Sequence, residues 1–146
     1  MIIEEEFDIA APLDRVWPVL KDIPRVASCI PNATITEIVD EKTFRANVAV
    51  KVGPVSVSYN ATILVERLDD GAHEAQFEVK GDEMRGRGGV RATVRSKAVA
   101  RHGVTHVTLS TDAQISGVVA TVGGRLIEGV AKKTTATFAQ NLSALV

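Results

Sequence analysis

Two periodicities divide this chain. From Thr34 to about Ile115 apolar and polar residues alternate with a period of two, and beyond Gly117 the period becomes 3.6. Ahead of both, Ile2 to Ile9 reads as a strand whose one face carries Ile3, Phe7 and Ile9, interrupted by Glu5. Ala11-Pro12 then predicts a helix with proline at its first position. Leu13, Val16, Trp17 and Leu20 follow at helical spacing, and Pro18 inside that run predicts a short or kinked helix. Ile23-Pro24 and Ile30-Pro31 bracket a second short helix, because the residue before proline avoids helical geometry.

In the alternating stretch, Phe44, Ala46, Val48, Val50 and Val52 share one face, opposite Arg45, Asn47 and Lys51. After Gly53-Pro54, Val55 to Val65 alternate with Ser56, Ser58, Asn60 and Thr62, the signature of a half-buried strand. Turns at Asp69-Asp70-Gly71 and His102-Gly103 separate further strands carrying Ala75/Phe77/Val79, Val90/Ala92/Val94/Ala98/Ala100 and Val107/Leu109/Ala113/Ile115. Short connections between about seven strands predict an antiparallel meander. Val119 to about Leu145 projects as one long helix, with Ala120, Gly123, Ile127, Val130, Thr134, Phe138 and Leu145 on its buried side. A sheet with one polar face must cover the other, and only this helix is long enough to do so. The reading is an α+β fold: a single domain over residues 1–146, two short helices after the first strand, and a curved antiparallel sheet gripping a long C-terminal helix.

The inward residues are small. Ala46, Ala61, Ala75, Ala92, Ala98, Ala100 and Ala113 face the expected core, Gly123 and Thr134 lie on the inner side of the helix, and aromatics make up only 4% of the chain. Protein interiors are close-packed, and a void costs stability in proportion to its volume. A guest molecule would resolve that mismatch. An apolar wall with a few polar groups is the composition of small-molecule sites. Its expected lining is Val48, Val50, Tyr59, Ala61, Phe77, Met84, Val94, Leu109, Ala113, Gly123, Ile127, Val130, Thr134 and Phe138, with Asn141 as a further polar contact. Close dry packing of helix on sheet is the competing reading of the same small residues.

Composition narrows the function. The chain of 146 residues is 45% hydrophobic and 24% charged, ordinary for one globular domain. A net charge of −1 argues against a nucleic-acid partner. Charge is nonetheless uneven, since Lys80 to Arg101 carries +5 and the remainder −6. Arg91, Arg95, Lys97 and Arg101 project outward from one strand. They form a solvated face or a docking stripe for an acidic partner or an anionic membrane surface. One cysteine, Cys29, excludes an intrachain disulfide and fits a buried, inert thiol. No apolar run approaches the ~20 residues of a membrane span, and Met1 leads straight into a strand, so a cytoplasmic setting is expected.

Catalytic groups are sparse. His73 and His106 fall on expected strands and His102 in a turn, none with a metal-ligand partner at suitable spacing, so all three read as solvated surface and no metal site is expected. Gly86-Arg87-Gly88-Gly89 lacks the ending and the strand-to-helix context of a phosphate loop; it reads as a flexible strand connection or a mobile lip beside a cavity, with Met84 as an adaptable apolar contact. The inward faces offer Tyr59, Thr111, Thr134 and Thr137 but no histidine or carboxylate pair, so no enzyme and no covalently bound cofactor are expected.

Several motifs together carry a resemblance. Phe7…Ala11-Pro12…Val16-Trp17…Leu20, Cys29-Ile30-Pro31, Val50-Lys51-Val52-Gly53-Pro54, Gly86-Arg87-Gly88, Asp112-Ala113-Gln114-Ile115-Ser116-Gly117 and Gly123-Gly124-Arg125-Leu126-Ile127 occur in that order across nearly the whole chain. The sequence resembles the CoxG-like family, the G-type subunits of carbon monoxide dehydrogenase, within the START/Bet v 1-like (SRPBCC) superfamily of helix-grip proteins. Asn32 stands where that family usually has glycine. The resemblance implies an internal hydrophobic cavity for a quinone or lipid. It also implies an accessory role beside a molybdenum hydroxylase of the carbon monoxide dehydrogenase type, with peripheral contact at the inner face of the membrane. An adaptor with a dry interior, docking a redox enzyme through the basic stripe, is the alternative.

Overall fold

The computed structural model describes residues 1–146. Its order is β1 (Ile2–Ile9), α1 (Leu13–Leu20), α2 (Ile23–Ser28), β2 (Ala33–Ile38), β3 (Thr43–Val52), β4 (Val55–Asp69), β5 (Glu74–Glu83), β6 (Gly89–Arg101), β7 (Val104–Ile115), a 3-10 turn (Val119–Val122) and α3 (Gly124–Leu145). The strands form one antiparallel sheet in the order β1-β7-β6-β5-β4-β3-β2. β2 to β7 are neighbours in sequence, as short turns dictate, and β1 returns to pair with β7.

Register explains the inner surface. Directly opposed residues share a face of the sheet. One row reads Ala46, Ala61, Gly81, Val90 and Ile115 across β3 to β7; the next reads Phe44, Ile63, Val79, Ala92 and Ala113. A third runs Val65, Phe77, Val94, Thr111 and Ile3. Ala46 with Ala61 and Ala92 with Ala113 therefore stand side by side on neighbouring strands, while Ala75 and Ala98 are buried in the main core and Ala100, expected to face inward, is exposed near the end of β6.

Larger side chains collect toward the ends. Ile9, Val16, Trp17, Val19, Leu20, Val107, Phe138 and Leu142 form the main cluster, beneath α1 and α2. Phe7 meets Phe138 edge-to-face at 5.9 Å. The Trp17 indole Nε1 donates to Asp70 Oδ1 at 2.8 Å, tying α1 to the β4–β5 turn. At the other end Val52, Val57, Tyr59 and Val119 pack with Ile127 and Val130. A third group joins Ile23 of α2 to Phe44 and Val65.

Three local expectations change. The long helix does not run from Val119: a 3-10 turn precedes it, and Gly123 (φ 92°, ψ 154°) separates the two in a conformation closed to most L-residues. Gly123 is thus a break outside the helix, not an inner-face position. Ala120, expected on the buried side, is exposed in the 3-10 turn, and Leu145 is exposed while Leu142, absent from the predicted face, is fully buried beside Phe138 in the main core. His73 lies in the β4–β5 turn with φ 53° instead of on a strand. At Asn32, φ is 61°, a conformation that glycine and asparagine both tolerate.

Candidate functional site

The helix is carried on the rims of the sheet. Its backbone runs closest to β1 on one side and β3 on the other, and stands farther from the floor strands β4 to β7. Between the two end clusters, α3 has only small half-buried side chains, Ala131, Thr134, Thr135 and Thr137, over the two turns from Val130 to Phe138. Below them, Val48, Ile63, Val79, Val94 and Thr111 point inward yet stay half-buried. Apolar side chains that face a covering helix and still keep accessible surface are not fully packed against it. This under-packed hollow, with the sheet floor below and Thr134 above, is the candidate site.

The predicted lining divides on inspection. Val48, Val50, Phe77, Val94, Leu109, Ile127, Val130 and Thr134 are half-buried and face the hollow or its ends. Tyr59, Ala61 and Ala113 are buried on the same face. Burial raises the Tyr59 phenol pKa, with the nearby Glu83 charge adding to the effect, so the ring keeps its proton. Phe138 belongs to the main core instead. Met84 is not part of the lining: it is 57% exposed and shares a shallow outer depression with Ala49, Lys51, Ser56 and Ser58. Gly123 is excluded by the helix break. Asn141 points away, its Nδ2 donating to the Cys29 carbonyl at 2.9 Å, which fastens α3 to the end of α2. Cys29 itself is buried.

The Gly-Arg-Gly-Gly segment connects β5 to β6 and is tied down by hydrogen bonds at Arg87, Gly88 and Gly89. Glu83, its side chain 2% exposed, receives Arg87 Nε at 3.0 Å and the backbone N–H groups of Arg85 (2.9 Å) and Arg87 (3.2 Å). The Arg87 guanidinium, followed by those backbone donors, holds the carboxyl at about 2, against 4.5 ordinarily. Arg87 also donates to the Ser56 carbonyl at 2.9 Å. Gly88 and Gly89 interlock with the turn after β7: Gly89 N donates to Ser116 Oγ at 3.0 Å, and Val118 N to the Arg87 carbonyl at 2.9 Å. Two motifs about thirty residues apart in sequence thus form one bolt across the end of the sheet.

Two inner-face carboxylates escaped the sequence reading. Glu83 was hidden because its partner lies four residues on, in a loop taken as mobile. Glu5 had a signal, since it breaks the apolar face of β1. It accepts a hydrogen bond from Thr135 Oγ1 of α3 at 2.9 Å and closes the seam between strand and helix. A carboxylate held near pKa 2 is a poor proton acceptor, and Glu5 has no titratable neighbour on the inner face with which to share acid–base work.

Residues 6–146 match the CoxG family, described as the G-type subunit of carbon monoxide dehydrogenase. The chain belongs to that family. No curated protein matches its sequence. Among solved structures, it resembles a conserved protein from Geobacillus kaustophilus at 23% identity and TM-score 0.87, over 99% of this chain and 93% of that one. A START superfamily protein from Mycobacterium smegmatis aligns at 15% identity and TM-score 0.68, covering 99% and 96%. Norcoclaurine synthase from Thalictrum flavum aligns at 16% identity and TM-score 0.67, covering 99% and 85%. At these identities the neighbours establish the fold, the START/Bet v 1-like helix grip.

The outer face of this CoxG-family chain carries the basic stripe. Lys97 pairs with Glu74 at 3.4 Å and Arg95 Nε donates to Gln76 at 3.2 Å, while Arg91 and Arg101 are exposed with no ion pair. His106 on the same face is not solvated surface. It is 9% exposed, with Nδ1 2.7 Å from Asp8 Oδ1 and Nε2 3.4 Å from Glu6 Oε2, because pairing of β1 with β7 sets it directly opposite Asp8. No helix is long and apolar enough to cross a membrane.

Proposed function

We propose that this chain is a non-enzymatic carrier that holds an apolar molecule, a quinone or a lipid, between α3 and the sheet. One observation carries the reading: the half-buried apolar residues at mid-floor, Val48, Ile63, Val79 and Val94, between two packed clusters. Family membership supports an accessory role beside a molybdenum hydroxylase of the carbon monoxide dehydrogenase type, to or from which the carrier moves its cargo. One structural neighbour, norcoclaurine synthase, is by name an enzyme. The carboxylate chemistry here argues for binding alone, since Glu83 is committed to Arg87 and Glu5 to Thr135. Peripheral contact at the inner face of the membrane completes the reading, because cargo of this kind resides in lipid.

Denaturing extraction of the purified chain followed by mass spectrometry tests it. An apolar compound in near-stoichiometric amount is expected, together with saturable binding of an added quinone such as decylubiquinone. Finding neither overturns the proposal.

A second reading, an adaptor with a dry interior, draws on the unpaired Arg91 and Arg101. It expects Arg91→Gln with Arg101→Gln to abolish sedimentation with anionic liposomes or capture of the enzyme partner while cargo content is unchanged. Unaltered association removes the stripe from the mechanism.

A further inference from the structure

The walls of the hollow are chemically unequal. Across β3, β4 and β5 the inward side chains at mid-floor are Phe44, Ala46, Ala61, Ile63, Phe77 and Val79, all apolar, and the Tyr59 phenol and the Arg87-paired Glu83 lie one row farther on, beside Val48. The unpaired polar groups at mid-floor gather on the opposite wall. Ser96 is the one polar residue among the inward positions of β6. Thr111 is its diagonal neighbour on β7, and Leu109 stands directly between Ser96 and Glu5 of β1. Thr134 is half-buried on α3, the covering helix.

Ser96 is the telling member. Only 7% of the residue is exposed, and none of the side-chain hydrogen bonds, such as the neighbouring Arg95 to Gln76, involves its hydroxyl. No fully enclosed side-chain oxygen is left without a partner, so this hydroxyl, on the inward row between Ala75 and Leu109, keeps a little accessible surface. Buried hydroxyls are normally satisfied, and an unsatisfied one aimed at a cavity is suited to a guest's polar atom. The neighbouring charge decides which kind. No lysine, arginine or histidine stands on the inward rows of the sheet, and the one charged group beside Ser96 and Thr111 is the Glu5 carboxylate. An anionic head would meet a like charge with no cation to offset it.

We infer that the hollow selects an apolar molecule with a neutral oxygenated head, such as a ring carbonyl, ester or alcohol, seated on Ser96 and Thr111 with its body along β3 to β5, and that it discriminates against fatty acids and other anionic lipids. This rests on the carrier reading and narrows it.

The test compares ligands that share a sixteen-carbon chain. Hexadecane, 1-hexadecanol, methyl palmitate and palmitate at pH 8 compete with N-phenyl-1-naphthylamine for the delipidated full chain. The alcohol and ester are expected to displace the probe about tenfold better than hexadecane, the difference one neutral hydrogen bond makes, and palmitate worst. Ser96→Ala with Thr111→Val, both close in shape, should remove the preference and leave hexadecane unchanged. Glu5→Gln, which can still accept from Thr135, should narrow the penalty on palmitate. Equal displacement by all four ligands, palmitate as the best competitor, or a preference that survives the double substitution overturns the inference while leaving the carrier intact. Displacement by none of them overturns both.

Discussion

Gly117 packs against Gly88 so closely that a Cβ on Gly117 would stand 2.5 Å from the Gly88 Cα. Both residues also have positive φ, 82° and 126°. Gly88→Ala or Gly117→Ala must therefore push two backbones apart, and each is expected to destabilise the fold by more than about 2 kcal/mol in urea titration. Gly86 and Gly103 supply the control. They share the positive φ but have open space around them, so alanine there should cost only about 1 kcal/mol of backbone strain. Equal costs at all four positions would show that the interlock contributes nothing.

The Glu83–Arg87 pair in the same bolt gives a pH signature. The folded-state pKa of Glu83, about 2, lies below its ordinary 4.5. Its contribution is therefore fully present above about pH 4.5 and is lost as pH falls from there toward 2. Asp40, Asp69 and Asp70 are also lowered, by the Lys42 backbone, the Ala72 backbone and the Lys21 side chain in turn, so the acid limb of the wild type is not Glu83's alone. The difference between wild type and Glu83→Gln isolates it. The stability gap should be widest at neutral pH and close progressively below about 4.5; a gap independent of pH would mean that packing, not charge, fixes the loop.

α3 is anchored unequally. Its C-terminal half carries Phe138 and Leu142 into the main core and Asn141 onto the Cys29 carbonyl. Its N-terminal half begins at the uncapped Gly123 and has half-exposed Leu126 resting near Gly53. Leu142→Ala is expected to cost about 2–5 kcal/mol, and Leu126→Ala under about 1 kcal/mol. Amides of the first two turns of α3 should exchange with solvent faster than those around Leu142. If the two halves exchange alike, access to the hollow does not begin at the N-terminal end of this helix.

The period-two stretch between Thr34 and Ile115 was legible because every strand there has one solvated face, which writes the register into the alternation of Arg45, Asn47 and Lys51 against Ala46, Val48 and Val50. Two short helices and a covering helix followed from the prolines and the change of period. The bolt was not legible, since Glu83 and Arg87 read as ordinary surface charges until β5, β6 and the turn after β7 are brought together. His106 was misread for the same reason: its partners Asp8 and Glu6 lie almost a hundred residues away on β1. The helix break at Gly123 was masked by Val119 and Val122, which fit a helical projection as well as they fit a 3-10 turn. The small inward residues were legible from the alternation, but the proximity of Ser96 and Thr111 was not, because they become diagonal neighbours only through the β6–β7 register.

Enlarging a residue at mid-floor distinguishes a hollow from a packed core. In a close-packed interior, adding several heavy atoms forces strained rotamers and backbone shifts costing about 1–3 kcal/mol. Val79→Phe and Thr134→Phe each add four heavy atoms between floor and helix, where Val79 and Thr134 retain accessible surface. The stability of each variant should stay within about 1 kcal/mol of wild type, because the new side chain gains burial where there was no partner. Cargo binding should fall by at least about tenfold, and the extracted ligand should disappear when both changes are combined. Ala98→Phe serves as the contrast, since Ala98 is buried within the main cluster and enlargement there should destabilise markedly. If Val79→Phe proves as costly as Ala98→Phe, the side chains already meet across the middle of the molecule and there is no room for a guest.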